Sequence, residues 1–305
     1  MHGDFKIFLK DLDEKDEPIM SNLSVEDKEL FTSYVEITRH FIELNRLFQM
    51  FESNLGLLLT CYTINTDDSI VRNNFNGLGE DYILINTLTT NYVSSSKTLT
   101  ESIETFMKIY LSEQNFDKFK RNVLSKVYDE SFSYRFLLLI RNFSQHGHLP
   151  VNIYNQKAYF DLDKISSMRH FNISGKKKSE IEKIRENIIA EFGNFPHISF
   201  LYTIAEFNLK TIEVYLNFLD LAKDILKFSQ DKTKTLLNKK PELIFHNGNS
   251  IFNGYVFYDF DGERFHCFNP KDNILKTFAD EKNKVKKILR NEKREMKKIR
   301  KKLKR

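Results

Sequence analysis

Residues 133–150 read SYRFLLLIRNFSQHGHLP, and within them Arg141 and His146 stand five positions apart. Asn142, Ser144, Gln145 and His148 lie beside them. A guanidinium is a permanent cation whose planar fork suits phosphate, and an imidazole exchanges its proton near neutral pH. Together they are nearly a sufficient kit for breaking an RNA phosphodiester. The imidazole removes the ribose 2′ proton, and the guanidinium stabilises charge on the phosphoryl oxygens of the transition state. That chemistry needs no metal, and the sequence has no carboxylate or Cys/His cluster with ligand spacing; no cofactor is expected. Plainer roles exist for each residue. Arg141 could cap carbonyls of its own helix or pair with a carboxylate, and His146 could be a last-turn residue favoured by the helix dipole. His146 with His148 as a metal pair lacks a third ligand. His197 and His266 read as packing or surface residues.

The elements that must position this group are mostly helical. Phe136 to Ile140 is an apolar run that almost any fold would bury, so Arg141 sits where the helix emerges from its core. The spacing predicts one helix from about Phe116 through Phe119, Val123, Val127, Tyr134 and Leu138 to Gln145. Gly147 suits the left-handed position after its last turn, and Pro150 forbids continuation. Before it, Ser24 reads as an N-cap to a helix of about 30 residues. Its seam is Leu30, Tyr34, Ile37, Phe41, Leu44, Phe48, Phe51, Leu55 and Leu58. Arg39, His40 and Arg46 fall on its polar face. A loop over 63–80 leads to a second helix through Ile85, Tyr92, Leu99 and Tyr110, whose Ser/Thr-rich middle conflicts with helix propensity.

After the motif, residues 151–162 predict a hairpin turning at Asn155-Gln156. A short helix is expected from Ser179 to Phe192, and then a long one capped near Asn194 and Pro196 that ends near Phe228. Asp261-Gly262 lies between YVFYDF and ERFHCF, a strong two-residue hairpin signal. Its register sets Tyr258 opposite Phe265, Val256 opposite Cys267 and Asp259 opposite Arg264. Cys61 and Cys267 match no metal or redox spacing and read as reduced thiols.

The net charge of +5 is unevenly placed. Residues 282–305 hold 14 of the 47 Lys/Arg and two of the 42 Asp/Glu, which leaves −7 for the chain upstream. The end of the chain, from Glu281, predicts a thin-seamed basic helix or partly ordered tail. Lys286, Lys287, Arg290, Arg294, Lys297 and Lys298 are candidate contacts to RNA phosphates. An anionic membrane is a weaker match, because the seam is narrow and lacks aromatics, and a solvated, frayed end is the plain alternative. No stretch approaches the length of a membrane span and the N-terminus has no apolar signal core. A cytoplasmic protein that does not bind membranes is therefore expected.

Arg141-Asn142-Phe143-Ser144-Gln145-His146 resembles the signature of the HEPN superfamily, an all-helical bundle carrying R-x4–6-H, often as R-N-x-x-x-H. The resemblance covers roughly residues 24–150. It implies a metal-independent endoribonuclease that leaves a cyclic phosphate end, with the active site shared across a homodimer. It also implies a toxin, anti-phage defence or RNA-processing setting, with an antitoxin or defence-system partner protein. Arg141 and His146 would be catalytic and Asn142 would orient or bind; Ser144, Gln145 and His148 are secondary candidates. Positions five apart lie about 140° around a helix. Arg141 and His146 therefore converge only if the helix end unwinds or a second chain contributes. The competing expectation is a non-catalytic HEPN-like module that binds RNA, a nucleotide or a protein. The expected architecture is mostly α. It comprises a lead-in (1–23), a HEPN-like helical bundle (24–150), a helical extension (151–250), a small β-hairpin appendage (251–270) and the basic C-terminal helix (271–305).

Overall fold

The computed structural model describes residues 6–9, 19–22, 24–66, 78–145, 149–154, 157–161, 165, 186, 197–239, 255–258, 265–268 and 274–303. Among these the chain is mostly helical. Helix α1 is Val25–Thr66, α2 is Leu78–Tyr110, α3 covers 113–130 and α4 is Phe132–Gln145. Helix α5 is Phe200–Lys239 and α6 is Ile274–Leu303. Seven short strands complete it: β1 Lys6–Leu9, β2 Ile19–Asn22, β3 Val151–Tyr154, β4 Lys157–Asp161, β5 His197–Ser199, β6 Tyr255–Tyr258 and β7 Phe265–Phe268. Apart from Glu186, which is helical, the predicted helix over 179–192 lies outside the described residues, as do Gly147 and the Asp259–Arg264 pair.

The chain forms two compact units, neither continuous in sequence. The first takes residues 1–43 and 219–283. Its sheet has the order β2-β1-β6-β7, every pairing antiparallel. The β6–β7 register sets Tyr258 against Phe265 and Val256 against Cys267, as the Asp-Gly signal predicts. Residues 1–23 are more than a lead-in: β1 and β2 pair with each other, and Ile7 of β1 pairs with Phe257. The hairpin is thus half of a larger sheet. Helical packing in this unit centres on Phe41 and Phe278, whose rings lie 5.3 Å apart.

The second unit takes residues 44–218 and 284–305 and contains the motif helix. Its core is aromatic. Phe48 stacks on Tyr215 at 4.1 Å, and Phe51 on Tyr92 at 5.1 Å. Tyr92 meets Phe207 edge-on at 5.6 Å. The α1 seam is buried at Leu44, Phe48, Phe51 and Leu58, as its spacing predicts. The Ser/Thr-rich middle of α2 stays helical because its hydroxyls find acceptors. Ser95 donates to the Tyr92 carbonyl and Thr98 to that of Ser94. Ser96 and Thr211 share a buried hydrogen bond of 2.9 Å between α2 and α5.

The expected single helix over Phe116–Gln145 is broken at Ser131, which is extended (φ −107°, ψ 114°). Ser131 Oγ accepts the Tyr134 N–H, an N-cap for α4 that the Ser-x-x spacing carries. Arg135 closes the corner by donating to the carbonyls of Tyr128 and Asp129 at the end of α3. Lys120–Ser125 within α3 is wound as a π-turn. The second sheet has the order β3-β4-β5. Tyr154 pairs with Lys157, which leaves Asn155-Gln156 as the connection, as predicted. Residues 197–199, expected as the first turn of a helix, instead extend this sheet, and α5 starts at Phe200.

One buried side chain ties these parts together. Asn86 of α2 donates to the Val151 carbonyl at 2.9 Å and accepts the Val151 N–H at 2.8 Å. It thereby holds the start of β3, five residues beyond His146, against α2. Replacing Asn86 with Val leaves both backbone groups of Val151 without that partner. We expect a loss of about 2–4 kcal/mol in urea unfolding. Asn217→Ala, which removes an exposed bond to the Glu213 carbonyl, should change stability by less than about 0.5 kcal/mol.

Candidate RNA-processing site

Helix α4 is fixed on three sides before it presents Arg141. Tyr134 stacks on Phe207 of α5 at 5.3 Å, and Phe136 meets Phe160 of β4 edge-on at 5.2 Å. Phe136, Leu137 and Ile140 are fully or almost fully buried. At its N-terminus, Glu206 Oε2 accepts the Ser133 N–H at 3.2 Å. A carboxylate at that end complements the exposed N–H groups and the positive end of the helix dipole. Glu206 in turn faces Arg300 of α6 at 3.9 Å, and Arg300 donates to the Tyr202 hydroxyl at 3.2 Å.

Arg141 emerges one residue after buried Ile140 and is itself partly buried. Its Nε is shielded from solvent with no hydrogen-bond partner among the described residues, and no described carboxylate pairs with it. Neither plain role, carbonyl cap or ion pair, is seen for it among those residues. Asn142 is exposed. Ser144, partly buried, turns back to donate to the Ile140 carbonyl at 3.0 Å, so its hydroxyl serves its own helix. Gln145 is the last residue of α4. His146 and His148 lie outside the described residues, so the structure places Arg141 and Asn142 but not their distance to an imidazole. Leu149 is exposed and Pro150 buried. Among the described residues no group of three or more His, Cys, Asp or Glu side chains converges as a metal site. No described helix is long and apolar enough to cross a membrane.

The basic C-terminal segment is a helix, as its thin seam predicts, and it is packed rather than frayed. Ile274, Phe278, Val285 and Met296 are buried. Sequence reading missed why it packs: its partners are acids far away in the chain. Within the second unit Lys284 pairs with Glu52 at 3.8 Å and Lys293 with Glu213 at 3.2 Å. The six cations expected to meet RNA, Lys286, Lys287, Arg290, Arg294, Lys297 and Lys298, are all exposed. Among the described residues Lys298 pairs with Glu295 of its own helix, at 2.6 Å.

On the packed side of α6 lies a half-buried carboxyl, Glu292, that sequence reading also missed. Burial raises the Glu292 carboxyl above the ordinary value of 4.5, the Glu295 charge adds to the rise, and a hydrogen bond with Asn208 opposes it. Burial likewise pushes the Tyr92 phenol well up, helped by the Glu292 charge. The folded protein thus holds the Glu292 proton more tightly than the unfolded chain does. Its contribution to stability is present below about pH 4.5 and is lost as pH rises through the elevated value. Glu292→Gln should therefore raise Tm at neutral pH and flatten the decline of Tm between pH 4.5 and 7, read by calorimetry across that range.

Compared with protein-family models, with curated proteins and with solved structures, the chain matches none.

Proposed function

We propose that this chain is a metal-independent endoribonuclease that acts as a homodimer. The observation that carries the reading is Arg141: a guanidinium at the end of a tightly held helix, whose shielded Nε has no protein partner among the described residues. A buried donor left unsatisfied costs about 1–3 kcal/mol, and a phosphate oxygen is the partner a guanidinium fork takes best. The Arg-Asn-x-x-x-His spacing supports the reading by placing an imidazole just beyond that cation.

In this reaction His146 takes the proton of a ribose 2′ hydroxyl, whose oxygen forms a bond to the adjacent phosphorus. The bond from phosphorus to the 5′ oxygen breaks. The products are a 2′,3′-cyclic phosphate end and, once an acid supplies the proton, a 5′ hydroxyl end. Arg141 stabilises charge on the phosphoryl oxygens, and Asn142 orients the phosphate from its exposed position beside it. Were the helix to continue, positions five apart would lie about 140° apart around its axis. A second copy supplying the opposing half of the site meets that constraint with one motif per chain. The setting is a toxin or anti-phage effector, restrained by an antitoxin or a defence-system partner.

Purified protein mixed with structured and unstructured RNA in EDTA should produce cyclic-phosphate ends. Arg141→Ala and His146→Ala should each reduce the rate by at least about 100-fold. His148→Ala should leave most of it. Equal cleavage by wild type and His146→Ala ends the proposal. Binding without strand scission, indifferent to both residues, would instead identify a non-catalytic binding module.

A further inference from the structure

Helix α6 sorts its cations into two classes. Seen down the axis, the buried residues Val285 and Met296 define one side, and Lys284, Lys293 and Arg300 flank it with ion pairs to Glu52, Glu213 and Glu206. The other cations of residues 285–301 lie opposite. At 3.6 residues per turn, the six exposed cations named above and exposed Lys301 share an arc of about 120°. From Lys286 to Lys301 that arc runs about 22 Å along the axis. Among residues 283–301 no acid falls on it: Glu292 lies on the packed side, and Glu295 at the margin beside Lys298. None of the other cations on the arc pairs with an acid among the described residues.

We propose that this face of α6 binds the phosphate backbone of a double-helical nucleic acid. The partner is chosen by what the face contains and by what it lacks. It has no aromatic ring, and single strands are held without sequence preference largely by stacking bases on such rings. It offers little beyond charge, and charge is densest and most regularly spaced on a duplex, about one per 1.7 Å of axis. The ion pairs to Glu52, Glu213 and Glu206 hold the helix against the second unit, so the cations form a straight rail on a fixed support. Duplex binding at this rail is a separate property from cleavage at Arg141 and stands without it.

The test is direct binding of the full chain, in EDTA, to a fluorescent 2′-O-methyl RNA duplex, which cannot be cut, and to one of its strands alone. The duplex should bind more tightly. A variant carrying Lys286→Gln, Arg290→Gln, Arg294→Gln and Lys297→Gln should lose at least about tenfold in duplex affinity. The slope of log K against log salt should become shallower by about 3. The matching set of Lys→Arg and Arg→Lys changes should restore binding, and circular dichroism should show all variants folded. As a control, Lys108→Gln, Lys118→Gln and Arg121→Gln together should move the slope far less. Unchanged duplex affinity in the four-fold Gln variant overturns the proposal, as does tighter binding of the single strand. Capture by phosphatidylserine vesicles with no duplex binding would overturn it in favour of a membrane surface.

Discussion

The aromatic grip on helix α4 is the constraint from which the site follows. Tyr134 against Phe207 and Phe136 against Phe160, two residues apart within one turn, lock the helix to α5 and to β4. Burying side chains of this size contributes about 1.5–3 kcal/mol each, and ring pairing adds to that. With Ile140 almost wholly enclosed, the next residue has no freedom over where it starts: Arg141 must leave the core at the last turns of α4. The position of the cation is thus a consequence of apolar packing, and its chemistry is what remains once packing is satisfied.

The N-terminus of that helix and the segments flanking it are held by polar groups, some local and some from distant parts of the chain. Ser131 and Glu206 satisfy its first N–H groups, and Arg135 does the same for the last carbonyls of α3. Asn86 clamps the backbone at Val151 beyond the motif. The Asn86 and Ser131 bonds are buried, and losing one partner of such a bond costs more than the bond itself contributes. Glu206 also faces Arg300, so the support of α4 and the anchoring of α6 share one carboxylate.

Sequence legibility followed the range of the interactions. The α1 seam and the Tyr258–Phe265 register depend on neighbours within a few residues, and both were readable from spacing alone. The break at Ser131 was also written locally, in a serine three residues before Tyr134, but a 3.6-residue apolar rhythm runs through both flanking helices and masks it. Asn86 could not be read, because its partner lies 65 residues away. The apolar seam of α6 was readable, but its ion pairs were hidden for the same reason. Composition marks a run of lysines and arginines, while Glu52, Glu206 and Glu213 decide which of them are spent on the fold. Glu292 looked like one of two stray acids in a basic run and is the one tucked beneath it, beside Asn208.

The central claim is that Arg141 and His146 act on one phosphate. Histidine NMR titration with a non-cleavable 2′-deoxy oligonucleotide tests it most directly. A bound phosphate beside the imidazole favours its charged form, so the His146 pKa should rise on binding. The rise should vanish in Arg141→Ala, while His148 should titrate alike in both proteins. A His146 titration that the oligonucleotide leaves unmoved, at concentrations where it is bound, would contradict the account.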